Sequence, residues 1–499
     1  MAGIREITQM CRDGEWDAAH AQVRQELDAA PGDIWTQRKM GWVQYYRIKD
    51  AAEANRLEDV LDGLSQLSRL DQLRPSDDQM LYDSVLWKLA LMARNLQQDD
   101  GTRLLAVLKG FHFSPSRAYS FLLKSHLHLS GWSGMLDFLD WWGLDHLQAE
   151  DFLPYQALGG KGLMSLAERA HIAYAKALLQ SRDRARCGHF LPRLQQLHAD
   201  HPEMAYPGYF CGKLMVMTGA DREAVLDVLV PFVREKSRDF WAWQLLSESY
   251  REDAQVQLAC LLRAVHCGAQ ESFLGKVRMR IASLYVAQGE PGRARCHLER
   301  VAACYQRQGW HLPLEVREML GFVCAGGTPP DASPGSDFME VTNGILARGC
   351  QECVAVVTHV DEQARRVAIV YGQERRTALR KKDISGKGVK VGTFLRVLVS
   401  GEDPVRVVQA SVMDAPVPGL PYVKRVKGIV RRVPEKSFAF VRAKGVNCFL
   451  HPALVAQNQL AEGERVSVLA AFDLDRKTGK WGWAGLVLLG CEQDTGQQG

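Results

Sequence analysis

Phe438 and Phe440, then Phe449 and His451, place rings at alternating positions of two short runs near the C-terminus. Successive side chains of a β-strand point to opposite faces, so each pair shares one face. Two neighbouring strands of this kind form a patch of rings. The chemistry open to such a patch is stacking: every nucleobase has a flat face, and each base laid on a ring contributes about 1–3 kcal/mol. Lys424, Arg425, Lys427, Arg431, Arg432, Lys436, Arg442 and Lys444 surround the rings, with Glu435 as the opposing carboxylate. Cations so placed neutralise phosphates. The candidate nucleic-acid-binding residues are therefore Lys427, Arg431, Arg432, Lys436, Phe438, Phe440, Arg442, Lys444, Phe449 and His451. Trp481 and Trp483 alternate on a later run; they either extend the patch or pack in a core. The competing reading of the three Phe is that they cap a barrel or dock on a protein.

Constellations for catalysis are missing from the chain. Gly159-Gly160-Lys161-Gly162 lacks the spacing and the hydroxyl of a phosphate loop, and neither His-Glu-x-x-His nor Gly-x-Ser-x-Gly occurs. Cys350-x2-Cys353 with His359 falls short of the four ligands of a structural zinc. His126 and His128 lie in a helical pattern, where positions i and i+2 point apart. The expectation is a protein that is not an enzyme, with no catalytic residue, no metal and no cofactor.

The 499 residues carry a formal net charge of +4, with 46% hydrophobic and 24% charged residues. This is globular composition and excludes a disordered chain. No apolar run approaches the roughly 18 residues that cross a bilayer. Arg5, Glu6, Arg12, Asp13 and Glu15 leave no apolar segment for a signal peptide. The twelve Cys follow no framework spacing, which fits reduced thiols and a cytoplasmic location. Charge is uneven: residues 339–491 hold 24 Lys and Arg against 14 Asp and Glu. The back of the chain is thus the part suited to polyanions.

Breaker-rich stretches divide the chain. Residues 326–338, with Gly326-Gly327, Pro329-Pro330 and Pro334-Gly335, read as a flexible linker, and 414–421, with Pro416, Pro418 and Pro421, as a shorter, stiffer one. Residues 492–499 read as a disordered tail. The part before the first linker, 1–325, repeats itself. Cys211-Gly212, Leu246-Ser247 and Ile281-Ala282 each pair a large with a small residue at a step of 35, and Ala224, Ala259 and Ala294 keep that step. Trp243-x2-Leu246-Ser247-x2-Tyr250 follows a first-helix pattern, and Gly289, Ala294, Leu298 and Val301 a second-helix pattern. Gly14-Glu15-Trp16, Pro31 and Met40-Gly41 repeat the idea at the N-terminus. Helices cross closely where small residues sit, and one pair cannot bury its own apolar face, so pairs stack. These residues resemble the tetratricopeptide family, whose unit is about 34 residues. The aromatic run Phe138–Leu144 reads as core packing between divergent repeats rather than as a ligand site.

The two back parts read as small β-barrels. In 339–413 the runs 353–358, 366–371, 375–379, 393–399 and 405–412 are short and β-branched, as in a five-stranded OB-type barrel. The basic stretch 375–382 either lies on phosphate or is a charged edge that deters aggregation. The second part, 422–491, resembles a cold-shock domain. Gly428-Ile429-Val430 matches that family's opening strand, Lys436-Ser437-Phe438-Ala439-Phe440-Val441 its first RNA-binding motif and Cys448-Phe449-Leu450-His451-Pro452 its second; Leu460–Val468 fits its downstream strand. Arg432 stands in place of the usual Trp, Pro452 in place of the last aromatic, and Ser437 and Ala439 in place of glycines, so the ring platform is reduced.

The expected fold class is thus an all-α helical repeat of the tetratricopeptide type followed by two small all-β OB-type barrels. With Phe138–Gly143 and Phe240-Trp241-Ala242-Trp243, this order is similar to that of bacterial proteins in which such repeats precede OB folds and which occur with TOTE-type conflict systems. That resemblance implies a role in antiviral defence. The expected function is an adaptor that binds a protein partner through the repeats and single-stranded RNA or DNA, RNA favoured, through the last barrel, with no membrane contact. The alternatives are a protein scaffold whose OB folds dock protein, and an accessory subunit of a nuclease or other effector.

Overall fold

The computed structural model describes residues 3–129, 131–156, 162–325, 327–333, 337–401, 405–475 and 478–492. The predicted phosphate-loop look-alike at 159–161, residues 326 and 334–336 of the predicted linker, and 493–499 of the predicted tail lie outside them. The chain forms two compact units, Met1–Phe232 and Val233–Gly499. No helix of the described residues is long and apolar enough to cross a membrane.

The first unit is helical, apart from the two-residue antiparallel strands β1 (Tyr155–Gln156) and β2 (Gly162–Leu163). Its helices start where the sequence supplies caps: Asp33 accepts from the Thr36 amide (2.9 Å) and Ser165 from that of Glu168 (3.1 Å). They pack where small residues let them approach. A Cβ on Gly41 would stand 2.7 Å from Leu81 and one on Gly63 2.7 Å from Ile48, while one on Gly212 would overlap Leu229. The predicted aromatic core is present: Phe138 and Trp142 are fully buried, His126 stacks on Phe138 at 4.5 Å, and Trp142 Nε1 donates to the Tyr119 carbonyl.

The 35-residue pairs fall on the helices Pro207–Thr218, Phe240–Glu248 and Glu271–Ala287, each with both members buried. Among the second-helix positions Ala259 and Ala294 are buried, but Ala224 is exposed. The helix Arg222–Glu235, which carries Pro231, buries Val225 instead.

The second unit begins with a helical series of its own, Phe240–Glu248, Ala254–His266, Glu271–Ala287, Pro291–Gln308 and Leu314–Ala325. In the predicted flexible linker, 327–333 have no helix or strand yet are held, and its last residue, Phe338, already begins a helix. Asp331 N donates to the Gly292 carbonyl (2.9 Å), Arg295 Nη1 to the Thr328 carbonyl (3.0 Å), and Arg293 pairs with Asp331 (3.2 Å). Asp337 then caps a helix, Phe338–Leu346, that packs back on Ala254–His266.

Six strands follow: β3 (Gln351–Asp361), β4 (Arg366–Gly372), β5 (Arg375–Arg380), β6 (Ile384–Ser385), β7 (Phe394–Val399) and β8 (Val407–Val412), in the order β5-β4-β3-β7-β8-β6. The five predicted strands are all here; β6 adds a two-residue parallel pairing on β8. The second β-domain is a closed five-stranded barrel of β9 (Val423–Arg432), β10 (Ala439–Ala443), β11 (Val446–Leu450), β12 (Arg465–Asp475) and β13 (Lys480–Glu492), ordered β10-β11-β13-β12-β9. β13 runs one residue into the stretch predicted as a tail. Val430, Val441, Cys448, Leu450 and Val468 fill the barrel.

The two β-domains share a core across the second predicted linker. Val356, Val370 and Phe394 of the first pack with Tyr422, Val423, Ala471 and Leu486 of the second, and the Tyr422 hydroxyl donates to the Val354 carbonyl at 2.5 Å. On the helical side, Arg234 donates to the Leu346 carbonyl (2.8 Å) and Arg406 pairs with Glu235 (3.6 Å). One outcome follows for limited proteolysis. A cut between Gly327 and Ser333 leaves the fragments together in native gel filtration, because these interactions lie outside the cut. Separation without denaturant would refute it.

Candidate nucleic-acid interface

β10 and β11 are antiparallel neighbours, with Phe440 opposite Phe449 and Val441 opposite Cys448. Val441 and Cys448 are buried in the barrel, so the Phe440 and Phe449 rings stand on its outer face. Phe438 precedes β10 and joins them: its ring centroid is 5.8 Å from Phe440 and 5.6 Å from Phe449, and Phe440 lies 5.9 Å from Phe449. All three are half-buried. They meet edge-on or tilted, so the patch is faceted rather than flat. β9 flanks it with Arg431 opposite Phe440. Arg442, two residues after Phe440, shares the outer face and is exposed, and Lys444 is exposed in the turn that Gly445 closes at φ +75°. Gly428 is required by the strand crossing, since a Cβ there would overlap the Arg442 carbonyl. Lys427, on β9 opposite Ser467, and Lys436, in the turn before β10, are both exposed.

His451 departs from the expectation. It lies one residue past β11, and its Nδ1 accepts from the Ala453 amide (3.2 Å), capping the helix Pro452–Gln457. The structure thus gives it a capping role at the edge of the patch.

Glu462 was missed from the sequence. It accepts from Arg431 Nη1 at 2.9 Å and from the Arg432 amide at 2.5 Å. The bonds from the Arg432 amide and the Arg431 guanidinium hold its carboxyl below the usual value. Barrel closure brings it there: Val430 N donates to the Glu464 carbonyl and Gly463 N to that of Val430. Arg431 therefore reaches the site partly neutralised. Lys427, Arg432, Lys436, Arg442 and Lys444 are exposed as well, and Arg432 Nη1 donates to the Leu460 carbonyl at 3.4 Å.

Trp481 and Trp483 do not extend the three-Phe patch. Trp483 pairs with Cys448, whose side chain points inward, and Phe449 pairs with Ala484. Trp483 packs on the barrel core with Lys424 Nζ 3.8 Å from its ring centroid, and Trp481 stacks on Phe472 at 6.1 Å. The basic stretch 375–382 is largely paired within the protein. Arg380 bonds both oxygens of Asp383 (2.6 and 2.8 Å) and Lys381 both of Glu362 (2.7 and 3.0 Å). Arg376 Nε stands 2.9 Å from Asp473 Oδ1, an ion pair whose N–H is not aimed at the oxygen. The reading of this stretch as a charged edge fits better than one on phosphate.

A helical array, a six-stranded β-domain and a closed OB-type barrel with an outward patch of rings define the class of protein. Within that class, residues 424–487 match the family model described as "S1/CSD-like domain 2 of the TOTE conflict systems". That span contains the three Phe, Glu462 and the cations around them. Residues 205–321 match a model described as "Domain of unknown function (DUF7017)". Comparison with curated proteins gives no match.

Proposed function

We propose that the protein is a non-enzymatic adaptor that holds single-stranded nucleic acid, RNA in preference to DNA, on the barrel and a protein partner on the helical repeats. The observation that carries this reading is the cluster of Phe438, Phe440 and Phe449, half-exposed on one barrel face and edged by Arg442 and Lys444. Stacking accepts any base, so sequence preference is small, and a duplex hides the faces that the rings need. The conflict-system description of the matched model supports a place in bacterial defence, with catalysis supplied by another chain.

The test is binding of short labelled RNA and DNA strands to the full chain. Phe438→Ala with Phe449→Ala removes two stacking positions and weakens binding at least about thirtyfold, with the circular dichroism unchanged. Arg442→Ala with Lys444→Ala instead flattens the salt dependence, by about 0.7 in the log–log slope for each phosphate no longer neutralised. Arg431→Ala changes it less, because Glu462 already offsets that charge. Unchanged affinity in the folded Phe double variant would refute the site and favour a protein-docking scaffold.

A further inference from the structure

The groove between the helices Phe240–Glu248 and Glu271–Ala287 combines an aromatic step with a cationic cavity. At the N-terminal end of both helices, Phe240 and Phe273 stack at 6.5 Å with planes 19° apart, and Phe273 is 63% exposed. Further along the same pair of helices lies a cavity of about 380 Å³. Its charged lining is Arg251, Lys276 and Arg280 against the single carboxylate Glu248. Arg251 and Glu248 are 3.7 Å apart on the surface. The floor is organised: Gln257 Nε2 donates to the Ser247 carbonyl (3.1 Å), and its Oε1 accepts from Arg280 Nη2 (2.9 Å). Ser247 and Gln257 are both buried. Arg280 is thereby held at the cavity while remaining exposed.

We infer that this groove takes an extended acidic peptide of the protein partner, with an apolar side chain on Phe273 and carboxylates beside Lys276, Arg280 and Arg251. The inference rests on the reading that the repeats bind protein, and it adds the chemistry of what they bind. The excess of cations over Glu248 sets the sign of the charge. The spacing sets the register. Phe273 and Arg280 are seven residues apart on one helix, which is about 10 Å of rise. An extended chain covers that in about three residues at roughly 3.3 Å each. The motif is therefore an apolar residue with Asp or Glu about three positions away.

The experiment displays random heptapeptides to the full chain and to its Lys276→Glu/Arg280→Glu and Phe273→Ser variants, with nucleic-acid binding by the barrel as the control for folding. Peptides selected by the wild type carry Asp or Glu about three residues from an apolar side chain. They bind the charge-reversed variant at least tenfold more weakly, and Phe273→Ser reduces them further. The charge-reversed variant selects basic peptides in their place. Selected peptides without acidic residues, no selected peptide, or peptides indifferent to the charge reversal would overturn the inference. Crosslinking in the host separates the two levels. A protein partner retained equally by the charge-reversed variant overturns the groove and leaves the adaptor reading standing; a chain that crosslinks to no protein overturns both.

Discussion

Stability falls steeply as pH drops from about 6.5 to about 4, as read by urea unfolding at fixed pH values. Burial pushes the imidazoles of His126, His171 and His297 down to about 4. His126 Nδ1 bonds the Leu122 carbonyl (2.9 Å) and His171 Nδ1 that of Ala167 (2.8 Å), each in a stacked core. In the unfolded chain an ordinary His takes its proton near pH 6.5, while the folded ring stays neutral until about 4. Between these values the unfolded state binds more protons, so stability drops as pH falls. Each ring accounts for on the order of 3 kcal/mol across that window. Two of the three lie in Met1–Phe232, so that unit loses about twice as much. His126→Phe, which keeps the stack on Phe138, removes one share of the slope. A midpoint that is flat from pH 7 to pH 5 would refute this.

Glu271→Ala lowers the stability of the second unit by about 3–5 kcal/mol, because it strands a buried cation. Arg278 is 2% exposed; its Nε and Nη2 donate to the two Glu271 oxygens at 2.7 and 2.6 Å. Its Nη1 lies 3.2 Å from His297 Nδ1. A guanidinium can only donate, so His297 Nδ1 accepts and the imidazole proton sits on Nε2. Without Glu271 the guanidinium keeps only that neutral partner among the described residues. Adding Arg278→Met to Glu271→Ala removes the stranded charge at similar length and restores most of the loss. Denaturant titration of the single and double variants reads the difference. A double variant no more stable than Glu271→Ala alone would show that the cost lies in packing rather than in the unpaired charge.

The parts legible in the sequence are those with a short period. The 35-residue step found helices that bury Ser247 and Ala282 at its small positions. Alternation found β10 and β11 and placed Phe440 beside Phe449, and the breakers within 326–338 marked the stretch 327–333, which has no helix or strand. The rest depends on residues brought together by closure of the fold. Glu462 is 31 residues from Arg431 in the chain and becomes its neighbour only through the Val430–Glu464 and Gly463–Val430 backbone bonds. Lys381 is 19 residues from the carboxylate that neutralises it. The alternation of Phe449 and His451 predicted one face, but Pro452 starts a helix at that point and His451 becomes its cap. Composition marks Pro and Gly as breakers, yet it carries no information on whether the segment they form then docks on a neighbour, as Thr328 and Asp331 do here.

The shared core of the two β-domains also defines a path for force. Tension applied at the barrel passes through Tyr422 and Val423 into β3 and β4, and through Asp473 into β5 at Arg376. From there it reaches Asn343, whose carbonyl accepts from Gln409 on β8, and so the helix Phe338–Leu346 and its seat on Ala254–His266. Each step is carried by packed side chains or hydrogen bonds in parallel with the connecting backbone, so a pull on the barrel loads the repeat array instead of merely straightening a tether.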